Sequence, residues 1–120
     1  MKISRKLYIL FFVAWMVLLT VGSLLPPNSF PSWVDLGGNR DKVAHFCAYF
    51  FTALLFYVTF RDRFKPTDIY AMLFAFDYGL TLEFVQQFVP NRVFSFLDLA
   101  ANLSGVLFFF VLYRILWGEL

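Results

Sequence analysis

An all-α polytopic membrane protein, a bundle of four transmembrane helices, is the architecture that this sequence predicts. Its 120 residues are 61% hydrophobic and 15% charged, whereas soluble domains are about 45–50% apolar. The mean hydropathy is +0.71, and the eighteen phenylalanines add to an apolar surface that is larger than one small core can bury. This surface is divided among four long runs that contain few charges. A lipid bilayer is therefore the predicted solvent.

Each of the four runs is 18 to 21 residues long. At a rise of about 1.5 Å per residue, such helices have the length needed to cross a hydrocarbon core of about 30 Å. The predicted helices are 7–25, 43–60, 69–89 and 97–117. Because the segments between them are short, residues 1–120 form one predicted domain. The first run follows Lys2, Arg5 and Lys6 like a signal peptide, but it exceeds the ~7–15 apolar residues of signals, so a retained helix is predicted.

The distribution of basic residues predicts that both termini are cytoplasmic. Lysine and arginine in short loops are retained on the cytoplasmic side, and the two faces of a four-span arrangement carry seven and three of them. The seven are Lys2, Arg5, Lys6, Arg61, Arg63, Lys65 and Arg114, and the three are Arg40, Lys42 and Arg92. Segments 26–42 and 90–96 are then predicted to lie outside.

Polar residues recur at helical spacing in each of the last three predicted helices. Intervals of three or four residues and their sums place them on or near one face of a helix. The three stripes are Asp41, His45, Tyr49 and Thr52; Gly79, Glu83, Gln86 or Gln87, and Pro90; and Asp98, Asn102 and Gly105. All three begin at the outer membrane face, so a bundle that turns them inward forms a polar pocket open to the outside. The predicted pocket residues are Asp41, Lys42, His45, Glu83, Gln87, Arg92, Asp98 and Asn102.

An anionic ligand suits this predicted pocket. The second and fourth helices direct their free N–H groups and positive dipole ends toward it, and Lys42 and Arg92 add positive charge. The phosphate of a lipid head group is the predicted partner at a membrane surface. A divalent metal bridging carboxylates to phosphate is a weaker alternative, and the prediction includes no metal or other cofactor.

Proton transfer and ligand positioning are assigned to the remaining pocket residues. Glu83 and His45 are the predicted acid/base pair, because a carboxyl and an imidazole are the groups that most often exchange protons with a ligand. The other predicted roles are orientation of the ligand by Gln87 and Asn102, and positioning of His45 or Arg92 by Asp98.

Several of these residues also have a structural interpretation, which the sequence leaves open. Ser95 and Asp98 have the spacing of a capping box at a helix start, and Asp41 can serve the first turn of its own helix. Asn102 is typical of polar contacts between membrane helices. Arg92 is typical of a residue that reaches toward lipid head groups.

Composition argues against several other chemistries. A net charge of +2 without a basic stripe disfavours nucleic-acid binding. The single cysteine, Cys47, excludes an internal disulfide, and one cysteine with one histidine excludes the common zinc frameworks. Cys47 lies two residues from His45 and therefore on a different helical face, so no cysteine–histidine nucleophile is predicted. Asp77 is about 120° around the helix from Glu83 and outside the stripe, with Thr81 as its nearest predicted partner.

The order and spacing of these residues resemble the VanZ-like family of bacterial membrane proteins. The matching pattern reads Asp41-Lys42-x-x-His45-Phe46-x-x-Tyr49 and then Gly79-x-x-x-Glu83-x-x-Gln86-Gln87-x-x-Pro90-x-Arg92-x-x-Ser95-x-x-Asp98-x-x-x-Asn102-x-x-Gly105. It covers residues 41–105. Asn91 stands where the family usually has glycine, and asparagine also tolerates left-handed turn geometry. Asp77 is less typical of the family.

The resemblance implies a multi-pass protein of the bacterial cytoplasmic membrane. For the founding member, it implies an association with resistance to teicoplanin, a glycopeptide that binds lipid-linked cell-wall precursors outside the membrane. The leading hypothesis is therefore a pocket that binds or modifies an anionic lipid or a lipid-linked cell-envelope intermediate. A non-enzymatic interaction or scaffold module is the alternative. A third and weaker hypothesis, a proton-coupled carrier that uses Asp77 and Glu83, requires dimerisation.

Overall fold

The computed structural model describes residues 4–25, 39–90 and 94–117, with side chains from residue 42 onward in the second range. These residues form four α-helices and contain no strand, which confirms the all-α prediction. The helices are α1 (Arg5–Leu24), α2 (Asn39–Phe60), α3 (Thr67–Gln86) and α4 (Phe96–Leu116).

Two helix ends differ from the predicted bounds by three or four residues, for local reasons. Helix α2 begins at Asn39 rather than at residue 43. Its first turn contains three charged residues that the prediction had assigned to the preceding loop. Helix α3 ends at Gln86 rather than at residue 89. The N–H groups of Phe88 and Val89 each donate to a carbonyl three residues back at 3.0 Å, a tightening typical of helix ends. Pro90 also disfavours helical geometry at the residue that precedes it.

Serine hydroxyls begin α1 and α4. Ser4 Oγ accepts from the Leu7 N–H at 3.3 Å, and Ser95 Oγ accepts from the Asp98 N–H at 3.2 Å. Each hydroxyl satisfies one of the N–H groups that have no partner inside the helix. The first turn of α4, which carries polar residues of the predicted pocket, is thereby held in a defined conformation.

Helices α2, α3 and α4 pack against one another, and α1 lies outside them against α2 and α3. No residue of α1 is buried. At Gly105 of α4, an added Cβ would lie 2.1 Å from the carbonyl oxygen of Phe46, so the backbones of α2 and α4 touch there. Such contacts through small residues are typical of helix pairs in membranes. The buried core consists of Tyr49, Ala53, Ala71, Ala75, Val106 and Phe109.

Three helices among the described residues are long and apolar enough to cross a membrane. They are Arg5–Leu24, Lys42–Phe60 and Phe96–Leu116. Helix α3 has the same length as α1 but carries Asp68, Asp77 and Glu83, and its composition keeps it out of this set. These helices indicate a multi-pass membrane protein. The fourth span and the orientation of the termini stay predictions.

Candidate functional site

A group of polar side chains lies at the end of the bundle where α2 and α4 begin and α3 ends. Because α3 runs back along α2, and α4 back along α3, these three helix ends meet. A continuous chain of hydrogen bonds and ion pairs joins the side chains. We call them the polar cluster, and its members are Lys42, His45, Glu83, Ser95, Asp98 and Asn102.

Glu83 ties the last turn of α3 to the start of α4. Its side chain is buried, with 1% of the residue exposed, and its Oε1 accepts from the Ser95 N–H at 2.8 Å. In a capping box, the side chain of the residue three positions later accepts from this N–H. That residue is Asp98 here. Because Glu83 takes that place, the carboxylate of Asp98 is released for contacts with α2.

The Asp98 carboxylate pairs with Lys42 of α2. Lys42 Nζ donates to Asp98 Oδ1 at 2.5 Å, and the two side chains are 30% and 15% exposed. The backbone N–H of Asp98 meanwhile bonds the hydroxyl of Ser95. Asp98 therefore has both roles that the sequence left open, since its backbone takes part in the cap and its side chain belongs to the polar cluster.

His45 lies between Asn102 and Asp98. Its Nδ1 is 2.7 Å from Asn102 Oδ1, and its Nε2 is 3.8 Å from Asp98 Oδ2. An amide oxygen can only accept, so Nδ1 carries the hydrogen in this pair. The neutral ring then has its lone pair on Nε2. The ring can take up a proton at Nε2, next to the Asp98 carboxylate, without breaking its bond to Asn102.

Gly79 of α3 makes room for the side chain that orients His45. Asn102 is 2% exposed, and a Cβ at Gly79 would lie 3.2 Å from Asn102 Nδ2 and 2.9 Å from Tyr49 Cε1. Both distances are shorter than ordinary carbon contacts. The missing side chain at Gly79 therefore allows α3 to pack directly over Asn102 and Tyr49.

The predicted pocket residues have different positions in the structure. Those brought together are Lys42, His45, Glu83, Asp98 and Asn102. Gln87 is exposed just beyond the end of α3 and lies outside the polar cluster. The side chain of Asp41 and all of Arg92 lie outside the described residues. Asp77 is exposed, and the Thr81 hydroxyl donates to its backbone oxygen at 2.9 Å rather than to its carboxylate.

Gln86, rather than Gln87, is the buried glutamine on the polar face of α3. It is 4% exposed, and its Nε2 donates to the Ser23 carbonyl at 2.7 Å. Ser23 is in the last turn of α1, where carbonyls lack a partner inside the helix. Both glutamines were within reach of the predicted stripe. Intervals of three and four residues from Glu83 both lie near its face, so spacing left the choice open.

An ion pair at the opposite end of the bundle was not predicted. Arg114 Nε donates to Asp68 Oδ2 at 2.6 Å, and Asp68 is 4% exposed. The signal in the sequence was an acid in the first turn of α3 and a base in the last turn of α4. Antiparallel packing of the two helices brings these turns to the same end.

The described part of the chain contains no group of three or more histidine, cysteine, aspartate or glutamate side chains that could hold a metal ion. The carboxylates of Glu83 and Asp98 instead accept hydrogen bonds from a backbone N–H and from a lysine. These contacts provide ion pairing and hydrogen bonding at this end of the bundle.

Long apolar helices with a partly buried polar cluster at one end indicate a multi-pass membrane protein. The family model described as VanZ/LLP1 matches residues 6–117 of this chain. The match covers nearly the whole sequence, and the chain belongs to the VanZ/LLP1 family. The resemblance inferred from residues 41–105 is thereby confirmed.

One curated relative is "Uncharacterized protein C11E3.10" of the yeast Schizosaccharomyces pombe. It is 39% identical over 67 residues, which are 55% of this chain and 41% of the yeast protein. The match thus spans less than half the length of that relative. No solved structure matches this chain. The likeness extends to a eukaryote, whereas the resemblance seen in the sequence was to bacterial proteins.

Proposed function

We propose that the polar cluster binds the phosphate of an anionic lipid, or of a lipid-linked cell-envelope intermediate, and that His45 exchanges a proton with the bound head group. The observation that carries this proposal is the position of His45. It is oriented by Asn102 on one side and faces Asp98 on the other. The ammonium of Lys42 is paired with the same Asp98 carboxylate.

Two helix N-termini and Lys42 are the positive features that an anion meets at this end of the bundle, beside the carboxylates of Glu83 and Asp98. Helices α2 and α4 both begin here, so the N–H groups of their first turns and their positive dipole ends add to the charge of Lys42. The Lys42 ammonium has three donors, and its side chain is 30% exposed, so it can reach a ligand while bonded to Asp98. Arg92, in the segment that joins α3 to α4, is the proposed second cation.

Proton exchange is assigned to Nε2 of His45. With the hydrogen of the neutral ring on Nδ1, Nε2 is the nitrogen that accepts the proton, and the Asp98 carboxylate stabilises the imidazolium that forms. Asn102 sets the tautomer and Asp98 balances the charge. No covalent intermediate is proposed, because Cys47 is on a different face of α2 from His45.

The proposed setting is a bacterial cytoplasmic membrane with four spans, both termini inside and the polar cluster at the outer surface. Helix α3 is assigned as the fourth span, because Ala71, Ala75 and Gly79 are buried along it where it packs on its neighbours. A cell-wall precursor carried on a lipid is one anionic ligand available at that surface. Altered sensitivity to teicoplanin is the phenotype that such a ligand implies.

Native mass spectrometry with defined lipids tests the binding step. The purified protein is mixed with equal amounts of phosphatidylglycerol and phosphatidylcholine that have the same acyl chains. We expect the wild type to retain the anionic lipid selectively and Lys42→Gln to reduce this selectivity about tenfold, because a charge-assisted hydrogen bond contributes about 1.5–3 kcal/mol. Lys42→Arg keeps the charge and should keep the selectivity.

The matched control is Lys65→Gln, which removes an exposed lysine between α2 and α3 at the other end of the bundle. It should retain the wild-type selectivity. Equal retention of both lipids by the wild type, or an equal loss in Lys42→Gln and Lys65→Gln, would contradict a head-group site at the polar cluster.

A non-enzymatic interaction module is a second candidate function, and the contacts of Glu83 and Gln86 favour it. Both side chains are buried and bond to neighbouring helices, Glu83 to the start of α4 and Gln86 to the end of α1. In this function, the polar stripes hold the helices together and present the outer surface to a partner. The same experiment separates the two candidates, because a module predicts that Lys42→Gln lowers the thermal midpoint and that no variant changes lipid selectivity.

A further inference from the structure

A cleft of about 750 Å³ lies between α1, α2 and α3, in the half of the bundle nearer the turn between α2 and α3. We call it the aromatic cleft, because seven of the nine residues that line it are aromatic. The lining consists of Phe12, Phe56, Phe60, Phe64, Tyr70, Leu73, Phe74, Phe76 and Asp77. Its volume is within the range of about 300–1,000 Å³ that is typical of small-molecule sites.

The walls of the aromatic cleft are rings that support one another. Phe56 and Phe74 stack at 5.0 Å with an angle of 26° between their planes. Phe12 meets Phe60 edge to face at 5.3 Å, and Phe64 contacts both helices α2 and α3 through its ring. The contacts join α1, α2 and α3, so the shape of the cleft is built into the packing of the bundle.

Asp77 is the only acid or base among the lining residues. It shares a face of α3 with Tyr70, Leu73 and Phe74, at intervals of three and four residues. Residue 77 is exposed. Within the described ranges 4–25, 39–90 and 94–117, its carboxylate takes part in no hydrogen bond or ion pair, since Thr81 bonds only the backbone oxygen.

A cation would complement the charge and the surroundings of this carboxylate. Asp77 is ten residues from the start of α3, about 15 Å along the helix axis, and is next to apolar rings rather than next to a polar partner. In the membrane span proposed for α3, an ionised carboxylate at this depth is costly unless it is paired. Aromatic ring faces also attract cations and contact apolar substituents. A positive charge on an apolar body satisfies both features.

We propose that the aromatic cleft binds a lipophilic cation, an amine or onium ion with aromatic or alkyl substituents, with Asp77 as its counter-ion. The rings enclose the apolar body of the ligand and the carboxylate pairs with its charge. This site is separate from the polar cluster, and the proposal does not depend on the function proposed for the cluster.

Binding of tetraphenylphosphonium to the purified protein in an uncharged detergent tests the proposal by isothermal titration calorimetry. We expect Asp77→Asn to weaken binding at least tenfold. Since the carboxylate has no partner to lose, this variant should keep the wild-type thermal midpoint. Phe74→Leu, which removes one ring of the wall, should weaken binding several-fold. Triphenylphosphine oxide, a neutral compound of similar shape, should bind the wild type much more weakly than the cation.

The matched control is Asp62→Asn, which neutralises an exposed acid in the turn between α2 and α3. It should leave the affinity unchanged. Equal losses in Asp62→Asn and Asp77→Asn would show attraction to general surface charge and overturn the proposal. Equal affinity for the neutral compound would assign the cleft to an apolar occupant such as an acyl chain. Either this result or an absence of binding to the wild type would reject a cation site.

Discussion

At the scale of single residues, the orientation of one imidazole determines what the polar cluster can do. His45 is the only histidine in the chain, and its Nδ1 faces the amide oxygen of Asn102. Asn102 is itself buried, so the hydrogen bond is shielded from water and costly to leave unmade. Asp98 then faces the other ring nitrogen. The base that is available for proton exchange is Nε2 because of these two neighbours.

The tautomer of His45 provides a direct prediction. In protein labelled with ¹⁵N-histidine, the single imidazole should give the signals of an Nδ1–H ring when neutral. Asn102→Leu removes the acceptor while keeping a similar volume, so the signals should shift toward the Nε2–H form. Ser104→Ala is the control, because the Ser104 hydroxyl donates only to its own helix at Ala100. An Nε2–H ring in the wild type would contradict the orientation described here.

At the scale of helices, glycines that let two helices approach closely determine which residues meet. Gly105 lets α4 touch the backbone of α2, and Gly79 lets α3 pack over Asn102 and Tyr49. These two contacts bring the three polar faces together. The acids of α3 are accommodated in different ways. Asp68 pairs with Arg114 and Glu83 accepts from the start of α4, while Asp77 lines the aromatic cleft.

Two glycine substitutions of the same kind should have different effects on stability. Gly105→Ala would place a Cβ 2.1 Å from the Phe46 carbonyl oxygen, so α2 and α4 must separate, at a cost of about 1–3 kcal/mol. Gly22→Ala in α1 is the matched control, since its Cβ would have no atom within 4 Å. Alanine also favours the helix there by up to about 1 kcal/mol. Thermal unfolding in detergent should show a lowered midpoint for Gly105→Ala and an unchanged or raised one for Gly22→Ala. Equal midpoints would contradict the close contact.

At the scale of the whole molecule, the position of α3 determines the topology. Helices α1, α2 and α4 are apolar enough to cross a membrane by composition alone, whereas α3 is not. It nevertheless packs against both α2 and α4 with buried small residues along its length. If it spans, both termini are on one side and the polar cluster is on the other.

Labelling from outside the cell measures this topology. In a Cys47→Ser background, cysteine is introduced at Asp62, before α3, or at Asn91, after it. An impermeant maleimide applied to intact bacterial cells should label Asn91→Cys and should reach Asp62→Cys only after the membrane is opened. The basic residues around Asp62 are the physical reason, because they are retained on the cytoplasmic side. Protection of both positions in intact cells would mean that α3 does not span.

Much of the fold and part of the candidate site were predictable from local properties. Hydropathy located four helices to within a few residues of their ends, and helical spacing placed His45, Glu83 and Asn102 each on the polar face of its own helix. Spacing alone did not separate Gln86 from Gln87, because they lie about 60° and 40° to either side of Glu83 around the helix. Burial against α1 made that distinction.

Composition, periodicity and residue order establish that the chain is all helical, where its helices lie, and which family it belongs to. The partners of the polar residues depend instead on how the helices pack. Glu83 of α3 accepts from the Ser95 N–H, so the Asp98 carboxylate does not complete its own helix cap. It pairs with Lys42 and faces His45 instead. Such choices depend on how closely helices approach and how they are rotated, and residues distant in the chain, such as Gly79 and Gly105, set both.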